Sequence, residues 1–190
     1  MKYQELLEQL GDHLAHVLTG LWADVEAGRI TVDEFTELAV QLVEISNARG
    51  RVAAEAAFRS WAEQVTAQPE GVAITATPRT AEAERLTKAL TTITTATASA
   101  STVMQLERLA RNEPVQAATD AMTEAMSDSE LVSGWRRGLE PGACQLCVWW
   151  WREGRVWRTD HPMPRHTGCT CTQIPVHNER TSNAQEGTAA

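Results

Sequence analysis

At 190 residues, with 43% hydrophobic and 22% charged side chains, the chain is long enough for one ordinary domain or for a helical body carrying a small module, and its composition is not that of a disordered polymer. No run approaches the roughly 20 apolar residues of a membrane helix, so no membrane partner is expected. Net charge is −8 but unevenly spread: residues 1–131 hold ten basic against twenty acidic residues, whereas residues 132–178 hold six arginines against Glu140, Glu153 and Asp160, together with five of the seven tryptophans. That shift marks a boundary near residue 131.

The N-terminus, Met1-Lys2-Tyr3-Gln4-Glu5, runs directly into an amphipathic pattern rather than a signal peptide, so synthesis and folding in a cytosol are expected. Leu7, Leu10, Leu14, Leu18, Leu21 and Val25 recur at helical spacing, and Gly28 suits the position just past a helix end. In Thr31-Val32-Asp33-Glu34, the threonine and the glutamate three residues on predict a capping box. The second helix continues through an Ala-rich stretch to Val65, with Gly50 a place for a bend. Pro69, Gly71 and Pro78 read as a linker. A Thr-rich helix is expected from about Arg79 to Ala100; threonine is a poor helix former, so it must lean on tertiary or quaternary contacts. Ser101 or Thr102 then starts a short helix, and Pro114 opens a further one to about Met126.

The reading is therefore a mostly α chain: a helical hairpin over 1–66, a helical segment over 79–131, a small α+β zinc-binding module over 132–178 and a flexible polar tail over 179–190. The aromatic-poor core is expected to be built of Ala, Leu and Val. His13 and His16, three apart on the first helix, read as surface residues.

The module carries the chemistry. Cys144 and Cys147 form C-x2-C, and eighteen residues later His166, Cys169 and Cys171 form H-x2-C-x-C. A two-residue gap lets both thiolates of a tight turn reach one ion, with Gly142 easing the turn, and zinc accepts mixed thiolate and imidazole ligands. Five candidates exist for about four positions. Cys144 and Cys147 are the first pair; the second comes from His166, Cys169 and Cys171, with one of the two cysteines expected to turn away unless Gly168 kinks the chain. His161, beside Pro162 and Pro164, reads as a loop histidine. Two disulfides or idle thiols are the plainer alternatives, the first disfavoured in a reducing compartment. A catalytic zinc needs an open position and a nearby base, and Glu153, which with Asp160 supplies the carboxylates between the two ligand pairs, sits in an expected exposed turn. A module of this size buries little core, so a structural zinc would supply its stability. The run Trp149-Trp150-Trp151 can cover both sides of its element, so at least one ring is expected to be exposed or to face a partner.

The stretch Leu139-Glu140-Pro141-Gly142-Ala143-Cys144-Gln145-Leu146-Cys147, followed by His166-Thr167-Gly168-Cys169-Thr170-Cys171 and Ile174-Pro175-Val176, resembles the C-terminal module of MuF-like phage head morphogenesis proteins, in the form found in phages of actinobacteria. The likeness covers about residues 132–177; the body is similar only in being helical, acidic and Ala-rich, and the triple tryptophan departs from the more aliphatic residues expected there. The resemblance implies a minor capsid protein made in the bacterial host and kept inside the head near the portal, with portal or other capsid proteins as partners. Some such relatives are labelled capsid maturation proteases, but Ser127, Ser129 and Ser133 have no evident His and Asp partners here. No enzymatic activity and no small-molecule substrate are expected. The competing reading is nucleic-acid binding, to packaged DNA: Arg136, Arg137, Arg152, Arg155 and Arg158 interleave with Trp149, Trp150 and Trp151, which suits phosphate contact and base stacking, or equally a protein interface.

Overall fold

The computed structural model describes residues 2–66, 80–95, 102–166 and 168–179. The expected linker and all of the expected tail but Glu179 lie outside the described residues. The fold is mostly helical: α1 (Tyr3–Glu26), α2 (Val32–Thr66), α3 (Thr80–Thr95) and α4 (Thr102–Asp128) precede β1 (Val132–Gly138), the short α5 (Gln145–Trp151), a 3-10 turn (Arg152–Gly154) and β2 (Thr172–His177).

Local chemistry sets the helix ends. α1 closes in a Schellman arrangement: Gly28 takes φ +69°, its amide donates to the Val25 carbonyl at 2.9 Å, and the Arg29 amide donates to the Asp24 carbonyl at 2.8 Å. α2 opens with the expected capping box, the Thr31 amide donating to Glu34 Oε2 at 2.8 Å and the Glu34 amide to Thr31 Oγ1 at 3.2 Å. One expectation fails at Pro114. It lies inside α4, which runs unbroken past it. Proline costs an interior helix about 3 kcal/mol by removing a hydrogen bond and crowding the preceding turn. Burial of Ala110, Val115, Ala117 and Ala118 around it offsets that cost.

The chain divides into two compact units. The first, Met1–Gly50 with Ala76–Ala117, has a core of Leu14, Leu18, Phe35, Ala39, Val43, Leu86, Leu90, Leu106 and Ala110. The Thr-rich α3 joins it through Leu86, Leu90 and Ile93 at spacings of four and three. Thr87, Thr92 and Thr95 stay exposed and donate their hydroxyls back to carbonyls a turn earlier. The poor intrinsic propensity of this helix is thus met by one apolar stripe buried in the core.

The second unit, Arg51–Thr75 with Ala118–Ala190, contains the Cys/His module. β1 and β2 are antiparallel, pairing Trp135 with Pro175 and Arg137 with Gln173. On its other side β1 meets Trp157, whose backbone exchanges hydrogen bonds of 2.9 and 2.8 Å with Trp135. Alternation along β1 puts Trp135 and Arg137 inside and Arg136 outside. Gly134 is required there, because a Cβ would strike the Trp157 carbonyl oxygen.

Candidate metal centre

Three backbone devices assemble the centre. Gly142, at φ +78°, turns the chain into α5, so that Cys144 stands at the N-cap and Cys147 one turn inside. Gly168, at φ +80°, turns it between His166 and Cys169, whose amide donates to the His166 carbonyl at 3.2 Å. Glu140 ties the two turns together. Its carboxylate accepts from the Thr170 amide at 2.7 Å and from the Thr170 hydroxyl, while its own amide donates to Cys171 Sγ at 3.5 Å.

The four cysteines are free thiols rather than disulfides. His166 Nε2 lies 3.2 Å from both Cys144 Sγ and Cys147 Sγ, and Cys147 Sγ lies 3.5 Å from Cys169 Sγ. Two groups of three converge, each with its ligand atoms within 4.8 Å of one another: Cys144, Cys147 and His166, and Cys147, Cys169 and Cys171. They share Cys147. Around a tetrahedral ion with metal–sulfur bonds of about 2.3 Å and metal–nitrogen bonds of about 2.0–2.1 Å, ligand atoms stand roughly 3.6–3.8 Å apart. The three closest separations need to open by only a few tenths of an ångström to meet that figure, so these donors could hold a metal ion. All five residues singled out from the spacing are brought together. Cys169 and Cys171 do not part to opposite faces: residues two apart in extended chain point the same way, and both sulfurs are buried beside Cys147.

The thiols differ in acidity. The Cys147 and Leu146 amides lower Cys144 against a smaller opposing effect of desolvation, and Cys144 is exposed. Burial, reinforced by Cys169, pushes Cys147 up to about 12. Hydrogen bonding from Cys171, with Arg165 nearby, brings Cys169 down to about 5. Cys171 is raised, first by its hydrogen bond to Cys169 and then by burial. Without metal the cluster therefore concentrates negative charge on Cys169. A metal must displace the Cys147 proton, which makes uptake pH-dependent.

The surroundings resolve the aromatic and basic residues. Trp150 stacks on His166, with ring centroids 6.2 Å apart. Trp151 is half-buried, and Trp149 is 65% exposed, the ring expected to face outward. His161 is no ligand: it stacks on Trp157 at 4.5 Å, and its carbonyl accepts from Trp135 Nε1. His13 and His16 are exposed on α1. Arg136, Arg152, Arg155 and Arg158 are exposed, Arg155 over the Trp157 ring and Arg158 paired with Asp160 at 2.8 Å. Arg137, grouped with them as a contact residue, is instead 2% exposed and faces the sulfurs, because it follows Trp135 by two on β1. That strand alternation was the available signal, masked by two glycines.

The family model of the VG15 protein matches residues 1–189. The chain belongs to the VG15 protein family. VG15 proteins are phage proteins, so a family match spanning the chain and a Cys/His cluster with metal-ligand geometry coincide in one molecule. Comparison with curated proteins and with solved structures gave no match. Among the described residues, no helix is long and apolar enough to cross a membrane.

Proposed function

We propose that this VG15 protein is a minor capsid protein of a tailed phage, of the MuF-like head-morphogenesis kind, held inside the head near the portal. In this reading the metal is a structural zinc that fastens the module, and the partners are portal or other capsid proteins. The observation that carries it is the convergence of C-x2-C and H-x2-C-x-C residues into one compact cluster on a chain of a phage family. This reading assigns the protein no enzymatic activity; of the serines nearest the module, Ser133 donates its hydroxyl to the Val176 and His177 carbonyls. Mass spectrometry of purified virions, and of heads assembled without portal, tests the proposal. Low-copy presence in virions with loss from portal-less heads is expected; absence from virions rejects it.

Exposed Trp149, in a module that also exposes Arg136, Arg152 and Arg155, favours a second role, contact with packaged DNA. An aromatic face with flanking guanidinium groups suits base stacking and phosphate contact. Gel-shift titration across salt concentrations decides it: binding that weakens steeply with salt and with Trp149→Ala supports DNA contact, and no shift at low salt removes it.

A further inference from the structure

Arg137 is a buried guanidinium whose polar contacts name its counter-ion. One terminal nitrogen, Nη1, stands 3.9 Å from Cys147 Sγ and 4.0 Å from Cys169 Sγ. The other, Nη2, donates to the Pro164 carbonyl, and the group lies 5.2 Å over the Trp150 ring, the same ring that stacks on His166. Its Nε has no acceptor, and among the described residues it pairs with no carboxylate. A buried cation without a nearby anion is strongly unfavourable. The anions within reach are sulfur: this arginine is built to face thiolates.

We propose that Arg137 is the counter-cation of the metal centre, and that the centre is accordingly a three-thiolate, one-imidazole site of Cys144, Cys147, Cys169 and His166. The proposal rests on the zinc reading above and deepens it. Charge selects this set. A divalent ion with three thiolates and neutral His166 carries one net negative charge, which a single guanidinium cancels. Four thiolates would carry two. Two thiolates with two neutral ligands would carry none, leaving Arg137 unmatched, and His161, the other histidine of this loop, is committed to the Trp157 stack.

Contacts rather than proximity alone select which cysteine stays out, since Cys171 lies within 4.8 Å of Cys147 and Cys169 and the ion has to draw Cys169 toward Cys144 and His166. Unbroken short separations link Cys144, His166, Cys147 and Cys169, and Arg137 touches the two sulfurs at the buried end of that series. Cys171 Sγ receives instead the Glu140 amide. Arg165 is the other guanidinium near Cys169; it donates to the Cys169 carbonyl at 2.8 Å and the Thr119 hydroxyl at 3.0 Å, is half-exposed, and adds its charge to that of the buried Arg137 in favouring the Cys169 thiolate. Trp150 completes the arrangement by bracing the His166 ligand and the Arg137 cation with one ring.

The full-length chain is purified with zinc, and its metal content, X-ray absorption spectrum and zinc affinity against a competing chelator are measured for wild type, Arg137→Met, Arg137→Lys, Cys171→Ser and Cys169→Ser. One zinc per chain with three sulfurs and one nitrogen is expected in wild type. Arg137→Met should weaken zinc by about 10- to 100-fold, the usual cost of losing a group that supports metal ligands, and Arg137→Lys should recover part of that loss. Cys171→Ser should keep the three-sulfur, one-nitrogen spectrum, which Cys169→Ser should lose. Wild type without zinc rejects the underlying metal reading. Bound zinc with four sulfurs, or with two, overturns the present proposal alone, as does Arg137→Met binding zinc as tightly as wild type. Should Arg137→Met fail to fold, the wild-type and Cys171→Ser spectra still decide.

Discussion

Gly50 in α2 lies directly against the backbone of Pro114 in α4, so closely that a Cβ on Gly50 would fall on the Pro114 carbonyl oxygen. The neighbour is backbone and cannot swing aside, so a side chain here forces the helices apart. Overpacking of this sort costs about 1–3 kcal/mol, and the higher helix propensity of alanine returns up to about 1 kcal/mol. Gly50→Ala should therefore lower stability by about 1–2 kcal/mol in urea unfolding monitored by circular dichroism. A neutral or stabilised variant would show that the contact relaxes freely.

That contact also marks the limit of reading this fold from sequence. The Gly28 helix stop and the Thr31–Glu34 capping box were legible because each depends on a few adjacent residues. Gly50 suggested a bend, since its real partner lies far along the chain. Pro114 suggested a helix start, because nothing local reports that Ala110, Val115 and Ala118 are buried around it. The metal ligands were legible through short spacing and strong donor chemistry. β1 was not: Gly134, Arg136, Arg137 and Gly138 hide the alternation, and an inward arginine looks like a surface one until the thiolates it faces are seen.

A buried carboxylate organises the first unit. Glu113, 6% exposed, receives Arg85 through two nitrogens at 2.7 and 2.6 Å and Asn47 Nδ2 at 3.2 Å; Asn47 also donates to Glu82. Arg85 is half in solvent, so truncation strands mainly the Asn47 amide and the buried side of the guanidinium. Glu113→Ala should cost about 2 kcal/mol, and Glu113→Gln less, because the amide oxygen keeps an acceptor for Asn47. Equal losses in both variants, measured by thermal unfolding, would place the effect in packing rather than in the hydrogen bonds.

Removal of metal should loosen the second unit's sheet. Glu140, Cys144, His166 and Cys169 hold together the two turns that precede α5 and β2, and a module this small gains little from its own core. A strong chelator should accelerate amide exchange at Trp135, Arg137 and Trp157 and reduce the near-ultraviolet signal of the Trp135–Trp157–His161 stack. The far-ultraviolet helical signal should change little, since none of the five candidate ligands lies on α1 to α4. Unchanged exchange at those amides would mean that the sheet stands without the metal.

Thiol reactivity should separate the four cysteines by position and by pH. Cys144 is exposed, and its pKa lies below the ordinary thiol value of 9.0 because the Cys147 amide donates to it. Cys169, though brought down to about 5, is buried, as are Cys147 and Cys171, both of which are raised. In folded, metal-stripped protein, iodoacetamide should mark Cys144 first, at a rate that climbs with pH and has its midpoint below pH 9. The sign for stability follows from the same direction. A depressed folded pKa makes the Cys144 contribution complete above about pH 9 and progressively lost as pH falls through the folded value. Bound metal should suppress the labelling, because coordination draws charge from the sulfur and lowers its nucleophilicity. Peptide mapping by mass spectrometry reads the order directly. Labelling that begins at Cys169, or that proceeds at Cys144 equally fast with metal bound, would contradict the exposed-ligand geometry from which the order is derived.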